Sequence, residues 1–315
     1  MNRSEFRSID FASLGISEKP VHLVIADNAS RVRFDHVVCH CVGASIPRGS
    51  FVKLTDTAYV SSVDFLFLQK ASEYTVSRLV LLGMELCGTY ALDETDPRGF
   101  RDREPLTSVS KLQRFVEKAG VMYGTKKARR ALRFLVDGSA SPMESIQAVL
   151  FFLPCSLGGH GVARGELNGR IEASVGGRPF PNNTFYRCDI LWRAHRLVVE
   201  YESDMCHTDP DRISADSKRR TSLIAAGYTV VTITKKQLFD AREFEKIANL
   251  LIRHTGKHVR KQPYNILTRR HALRKELFAT IPKAKGQNPC APPDHVEPSD
   301  GNDADRDPQN VESHT

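Results

Sequence analysis

The chain has 315 residues, 41% of them hydrophobic and 26% charged, an ordinary balance for a globular protein with a sizeable core. No apolar run reaches the roughly 18 residues of a bilayer span, and MNRSEFRSID lacks the apolar segment of a secretory signal. A cytoplasmic protein without a membrane partner is therefore expected. Seven scattered cysteines, an odd number with no CxxC pair, argue against a disulfide framework and against a structural zinc site.

The formal net charge of +8 understates the body of the molecule. From residue 286 onward one arginine faces seven acids, a net −6, so the remainder carries +14. A body this basic suits a polyanion, because each lysine or arginine that replaces a counterion on a phosphate backbone adds affinity.

In chain order, VHLVIAD, RVRFDHVVCHCV and SFVKLTD within 21–60 read as short strands separated by turns. The Cys39-His40-Cys41 cluster fits the alternation of a strand better than a ligand set, since no second cluster completes it. Residues 61–92 switch to a helical period, and DETDPRGFRDREP (93–105) reads as a loop between two units. Helices are predicted at 108–119 and 125–136, and another opens at Pro142 with Ser141 as its cap. FYRCDILW and RLVVEYE form a predicted hairpin around residues 193–195, with Trp192 as a core residue. A helix near 211–226 stopped by Gly227 follows, then a central strand over 228–234. A final helix with an Asp240–Glu243 capping box runs to about His254, ahead of a basic stretch over 257–275. The last thirty residues are too polar to fold.

Phosphodiester hydrolysis needs charge neutralisation and an activated water, both of which a Mg²⁺ or Mn²⁺ ion on carboxylates supplies. Asp189 and Glu200 stand nearly equidistant from the hairpin turn and so almost face each other, while Glu202 shares the face of Glu200. Three converging acids repel unless a cation is bound or their pKa values rise. Glu144 is three residues after Ser141, the spacing of a capping box as well as of a site residue. His207 titrates near neutrality, so a proton-transfer role is open to it beside a plain loop position. Arg219 either pairs with Asp216 one turn away or, like Arg220, faces a phosphate.

The stretch DILWRAHRLVVEYESDMCHTDPDRISADSKRRTSLIAAGYTVVTIT resembles the very-short-patch-repair-endonuclease-like domain of unknown function, within the PD-(D/E)XK nuclease superfamily. The resemblance spans about 138–255 and rests on Glu144, Asp189, Glu200 with Glu202, His207, Asp216 with Arg219, Leu223, Gly227 and Val230. The N-terminal strands and helices resemble, by order and pattern, an AbiEi-type antitoxin-related module. The resemblance implies a metal-dependent DNA endonuclease in defence or repair, with Asp189, Glu200 and Glu144 at the metal and Glu202 assisting. The superfamily's lysine two residues after the acid is here Glu202, which moves its role to Lys218 or His207 or signals a nuclease-fold DNA-binding regulator without activity.

The expected architecture is α/β. It has an α+β module over 1–104, a helical connector over 105–137, a restriction-endonuclease-like α/β/α core over 138–282 and a disordered acidic tail over 283–315. DNA is the expected partner, held by Arg219, Arg220, Lys257, Arg260 and Lys261, with a homodimer left open.

Overall fold

The structure is a computed structural model that describes residues 9–14, 16, 19–42, 46–56, 59–172, 174–175, 178–179, 185–202, 210–259 and 263–281. Its first half carries three small strand pairs and four helices. Strands β1 (Val21–Ile25) and β2 (Val37–Cys41) pair in parallel, and β3 (Phe51–Lys53) with β4 (Tyr59–Ser61) antiparallel. Cys39, His40 and Cys41 lie along β2 as strand residues, with His40 Nε2 2.7 Å from His22 Nδ1 on β1. All five cysteines among the described residues are free thiols.

The helical period over 61–92 resolves into α1 (Val63–Glu73) and α2 (Val76–Leu86). The break falls at Thr75, whose hydroxyl caps α2 by accepting the Arg78 N–H at 3.1 Å. The 93–105 stretch is not a plain loop. Strands β5 (Tyr90–Leu92) and β6 (Phe100–Asp102) pair across it, and its aspartates close their own turns, Asp93 accepting Thr95 N–H and Asp96 accepting Arg98 N–H. Helices α3 (Val109–Lys118) and α4 (Thr125–Leu132) follow, packed on each other and on α1.

The second half begins with α5 (Pro142–Phe152), capped by Ser141 as its sequence predicts. Strands β7 (Glu166–Glu172), β8 (Ser174–Val175), β9 (Arg178–Pro179), β10 (Phe185–Trp192), β11 (Leu197–Glu202) and β12 (Thr229–Thr234) come next, with α6 (Pro210–Ala225) between the last two. Helices α7 (Lys235–Phe239), α8 (Ala241–His254) and α9 (Tyr264–Phe278) close the described chain.

Four strands form one sheet in the order β12-β11-β10-β7, with β11–β12 parallel and the other pairs antiparallel. Strand β12, expected in the centre, is an edge of this sheet, and only Ile233 along it is buried. The centre belongs to the hairpin strands, whose LVV and ILW segments are buried on both faces. Strand β7 escapes sequence detection because Gly169 interrupts it and Gly165 precedes it. A Cβ at Gly169 would meet the Leu191 side chain at 2.8 Å, so the close approach of that side chain favours the glycine. The Asp240–Glu243 pair also differs from expectation. Asp240 caps α8 by accepting the Arg242 and Glu243 N–H groups, while the reciprocal capping box is Thr234 with Gln237 at the start of α7.

Period-two alternation sends Ile190, Trp192, Leu197 and Val199 to one face of the sheet and Leu191 and Val198 to the other. The first face joins a large core with α5, where Phe151 stacks on Phe244 of α8 at 4.6 Å, and the second packs on Leu223 of α6. Truncating Phe151 or Phe244 to alanine would cost about 3–5 kcal/mol. Trp192 is core, with its indole N–H donated to the Ala163 carbonyl at 2.6 Å. The large core is continuous from Phe65 of α1 to Leu277 of α9 and crosses residues 104 and 137. Thr75 and Ser77 fasten its two ends by donating to the Glu276 carboxylate, Thr75 at 2.6 Å. Among the described residues no helix is long and apolar enough to cross a membrane.

Candidate active site

Asp189 sits where the regularity of the sheet lapses. Pairing of β10 with β11 runs over Trp192–Leu197, Leu191–Val198 and Ile190–Val199, and continuing that register sets Asp189 opposite Glu200. On the other side the β10–β7 ladder omits Asp189 opposite Asn168, whose φ of 51° is left-handed. Into this gap the Asp189 side chain turns inward. Its Oδ2 accepts the Tyr201 N–H at 2.7 Å, taking the place of a main-chain acceptor.

Glu200 is held from α6, where Arg219 Nη2 lies 2.5 Å from its Oε2. Its Oε1 is buried and has no hydrogen-bond partner among the described residues. From the opposite layer, Glu144 on α5 is buried with both oxygens engaged. Oε2 accepts Ala140 N–H at 2.9 Å and Asn168 Nδ2 at 2.6 Å, and Oε1 accepts the Ser141 hydroxyl at 3.1 Å. Asn168 in turn accepts Arg187 Nε at 2.6 Å. Glu144 is thus both the helix-end partner of Ser141 and a member of the acid cluster.

Burial pushes the Glu200 carboxyl up to about 7, helped by the charge of Asp189 and opposed by Arg219. Burial and the same Asp189 charge bring Glu144 to about 7 despite its three donors. Asp189 is itself raised by burial, against the Tyr201 N–H and the charges of Arg219 and Arg187. Burial, with the charge of Glu200, also holds the Cys188 thiol up to about 12, so it stays neutral and adds no further negative charge. Burial, the largest cause for all three carboxyls, thus makes full ionisation of the cluster costly unless a cation joins it.

No family model, curated protein or solved structure matches the chain. The site must be judged on its own chemistry.

Its donors are carboxylate oxygens, hard ligands of the kind that Mg²⁺ takes. Among the described residues no three His, Cys, Asp or Glu side chains stand together as a finished metal cage. Mg²⁺ needs none, since it commonly sits on one or two carboxylates and completes its shell with water and phosphate oxygens. Asp189 and Glu200, with the unpartnered Oε1, fit that requirement.

The remaining expected site residues are dispersed. Glu202 ends β11, half-buried beside Thr234 of β12. Lys218 and Arg220 are exposed on α6, each about 100° around the helix from the inward-reaching Arg219. Lys257 lies elsewhere, its Nζ donating to the Gly161 carbonyl at 3.2 Å beside a cavity of about 500 Å³. His207, Arg260 and Lys261, and the side chain of Asp216, lie outside the described residues. Asn168 and Arg187 were missed by sequence reasoning. The one signal was an asparagine between two glycines in GELNGR, a sequence suited to a left-handed residue.

Proposed function

We propose that the protein is a Mg²⁺- or Mn²⁺-dependent DNA endonuclease of the cytoplasm, with a restriction-endonuclease-like α/β/α core. The observation that carries this reading is the buried acid pair: Asp189 and Glu200 in register across the hairpin, with Glu200 Oε1 buried and without a partner among the described residues. Clustered carboxylates with raised pKa values in a layered α/β site are the usual mark of a functional centre.

Asp189 and Glu200 would hold the ion, and Glu202 would assist from the strand end. Bound there, a divalent cation neutralises charge on the phosphate and makes its water a nucleophile near neutral pH. Tyr201 N–H fixes the Asp189 carboxylate, and Glu144 with Asn168 sets the electrostatic floor beneath it. Arg219, seated beside Glu200, would face the scissile phosphate. Lys218 or His207 would serve the water or the leaving group.

The test is cleavage of supercoiled and single-stranded DNA with Mg²⁺, Mn²⁺ or EDTA. Nicking that needs metal and disappears in Asp189→Asn is the expected result. A second reading, a nuclease-fold DNA-binding regulator of toxin–antitoxin type, is favoured by the Arg219–Glu200 pair and by Glu202 at the lysine position. Binding without cleavage across metals and substrates would select it over the endonuclease.

A further inference from the structure

Residues 105–136 contain eight cations and one acid, Glu117. The structure divides those cations by use. Lys127 is structural, its Nζ donating to the Tyr74 carbonyl at 2.7 Å and so tying α4 to α1. The other seven are exposed. On α4 and its end, Lys126, Arg129, Arg130 and Arg133 recur at i, i+3, i+4 and i+7, one outward stripe opposite the buried Thr125, Ala128, Ala131 and Leu132. On α3, Lys111, Arg114 and Lys118 recur at i, i+3 and i+7, opposite the buried Leu112, Phe115 and Val116. Among the described residues none of these seven has an ion-pair partner.

Like charges one helical turn apart cost about 0.2–0.5 kcal/mol per pair, and α4 holds several such pairs with nothing to offset them. That cost has a use if an external polyanion supplies the missing charge. The stripe spans about 10 Å along α4 at 1.5 Å per residue, enough to follow consecutive phosphates of one strand. Its geometry is braced by two contacts. Arg129 Nη2 donates to the Gly120 carbonyl at 3.1 Å across the inter-helix turn, and Arg164 Nη1 donates to the Arg133 carbonyl at 2.9 Å, which brings an eighth cation to the stripe's end. The turn between the helices presents Tyr123, 85% exposed, and Val121, fully exposed. An aromatic ring beside a cationic stripe matches the way proteins stack on a nucleobase while holding its backbone. Nucleic acid supplies both features together, a flat base for Tyr123 and a regular row of phosphates for the stripe, which favours it over an acidic protein.

We propose that the outward face of α3 and α4 is a nucleic-acid backbone-binding surface, formed by Lys126, Arg129, Arg130 and Arg133 with Lys111, Arg114 and Lys118, and separate from the carboxylate site. It shares a nucleic-acid partner with the endonuclease reading but does not depend on hydrolysis.

The experiment measures binding of the full chain to fluorescent 25-mer duplex and single-stranded DNA by anisotropy in EDTA, across 50–200 mM salt. The variant combines Lys126→Gln, Arg129→Gln, Arg130→Gln and Arg133→Gln, with its thermal transition recorded to show that it folds. Four lost duplex contacts should lower the slope of log affinity against log salt by about 3.6, so that wild type loses about 150-fold more affinity than the variant over that range. Tyr123→Ala should weaken single-stranded binding about 5- to 100-fold and leave the duplex unchanged. An unchanged slope in a folded quadruple variant would overturn the proposal. So would a polyglutamate peptide that binds wild type as tightly as DNA, which would put an acidic protein in its place. Binding lost in the quadruple variant while wild type never cuts DNA leaves this surface standing and removes only the endonuclease.

Discussion

In α9, Arg270 is ion-paired to Glu245 of α8, and Arg274 donates to the Leu238 carbonyl while lying over Phe244 and Phe278, 5.3 and 5.1 Å from the ring centres. On α4 and its end, Lys126, Arg129, Arg130 and Arg133 reach solvent and have no ion-pair partner among the described residues. The two helices read alike as Arg-rich segments. They differ in what covers them. Helix α9 is wedged against α2 and α5, so two of its arginines are drawn inside, where each finds a partner although Arg270 Nε and Arg274 Nη1 have none among the described residues. Helix α4 buries a narrow band of small residues and leaves the rest of its circumference outside. Charge in a sequence thus acquires meaning only when the covering element is known.

The largest test of this contrast is Arg274→Ala. Loss of the carbonyl bond and of both ring contacts should cost about 2–4 kcal/mol in urea denaturation. A cost no greater than that of the α4 substitutions would break the comparison.

The carboxylate cluster extends it to buried charges left incompletely neutralised. A carboxyl whose folded pKa is raised contributes stability at low pH and loses it as pH rises through that folded value. Asp189→Asn removes the charge that raises both Glu200 and Glu144. It should therefore stabilise the metal-free protein by about 1–2 kcal/mol at pH 8, with the gain vanishing near pH 4. Equal effects at both pH values would show that the cluster stores no repulsion.

At the proposed site of the wild type, Mg²⁺ would have to displace the proton that Glu200 holds below about 7. Affinity measured by calorimetry should fall about tenfold per pH unit below that point and level off above it. A flat profile from pH 5 to 8 would place the ion elsewhere.

The smallest effect belongs to α4. The quadruple glutamine variant should change unfolding free energy by at most about 0.5 kcal/mol, toward greater stability, because the repelling pairs are gone. A loss above 1 kcal/mol would mean that these side chains hold structure.

Asp189 and Glu200 were legible because counting from a tight turn sets antiparallel register, and the observed pairs extend to that match. Ser141 and Gly227 were legible because capping is local chemistry, Gly227 adopting φ +83° as a helix stop requires. Contacts across the layers were not. Arg219 on Glu200, Asn168 on Glu144 and the buried Arg270 and Arg274 all depend on which element lies over which, and periodicity carries no such information. Strand β12 shows a limit of another kind. An apolar run marks a strand without saying whether a further strand lies beyond it.

Thr75 and Ser77 meet Glu276 across 201 and 199 residues of chain. During synthesis the N-terminal helices leave the ribosome long before α9 exists, with part of their apolar surface still waiting for it. At about 5–20 residues per second that interval lasts on the order of ten seconds or more. Emergence of α9 rather than local helix formation should therefore set when the nascent chain becomes resistant to protease.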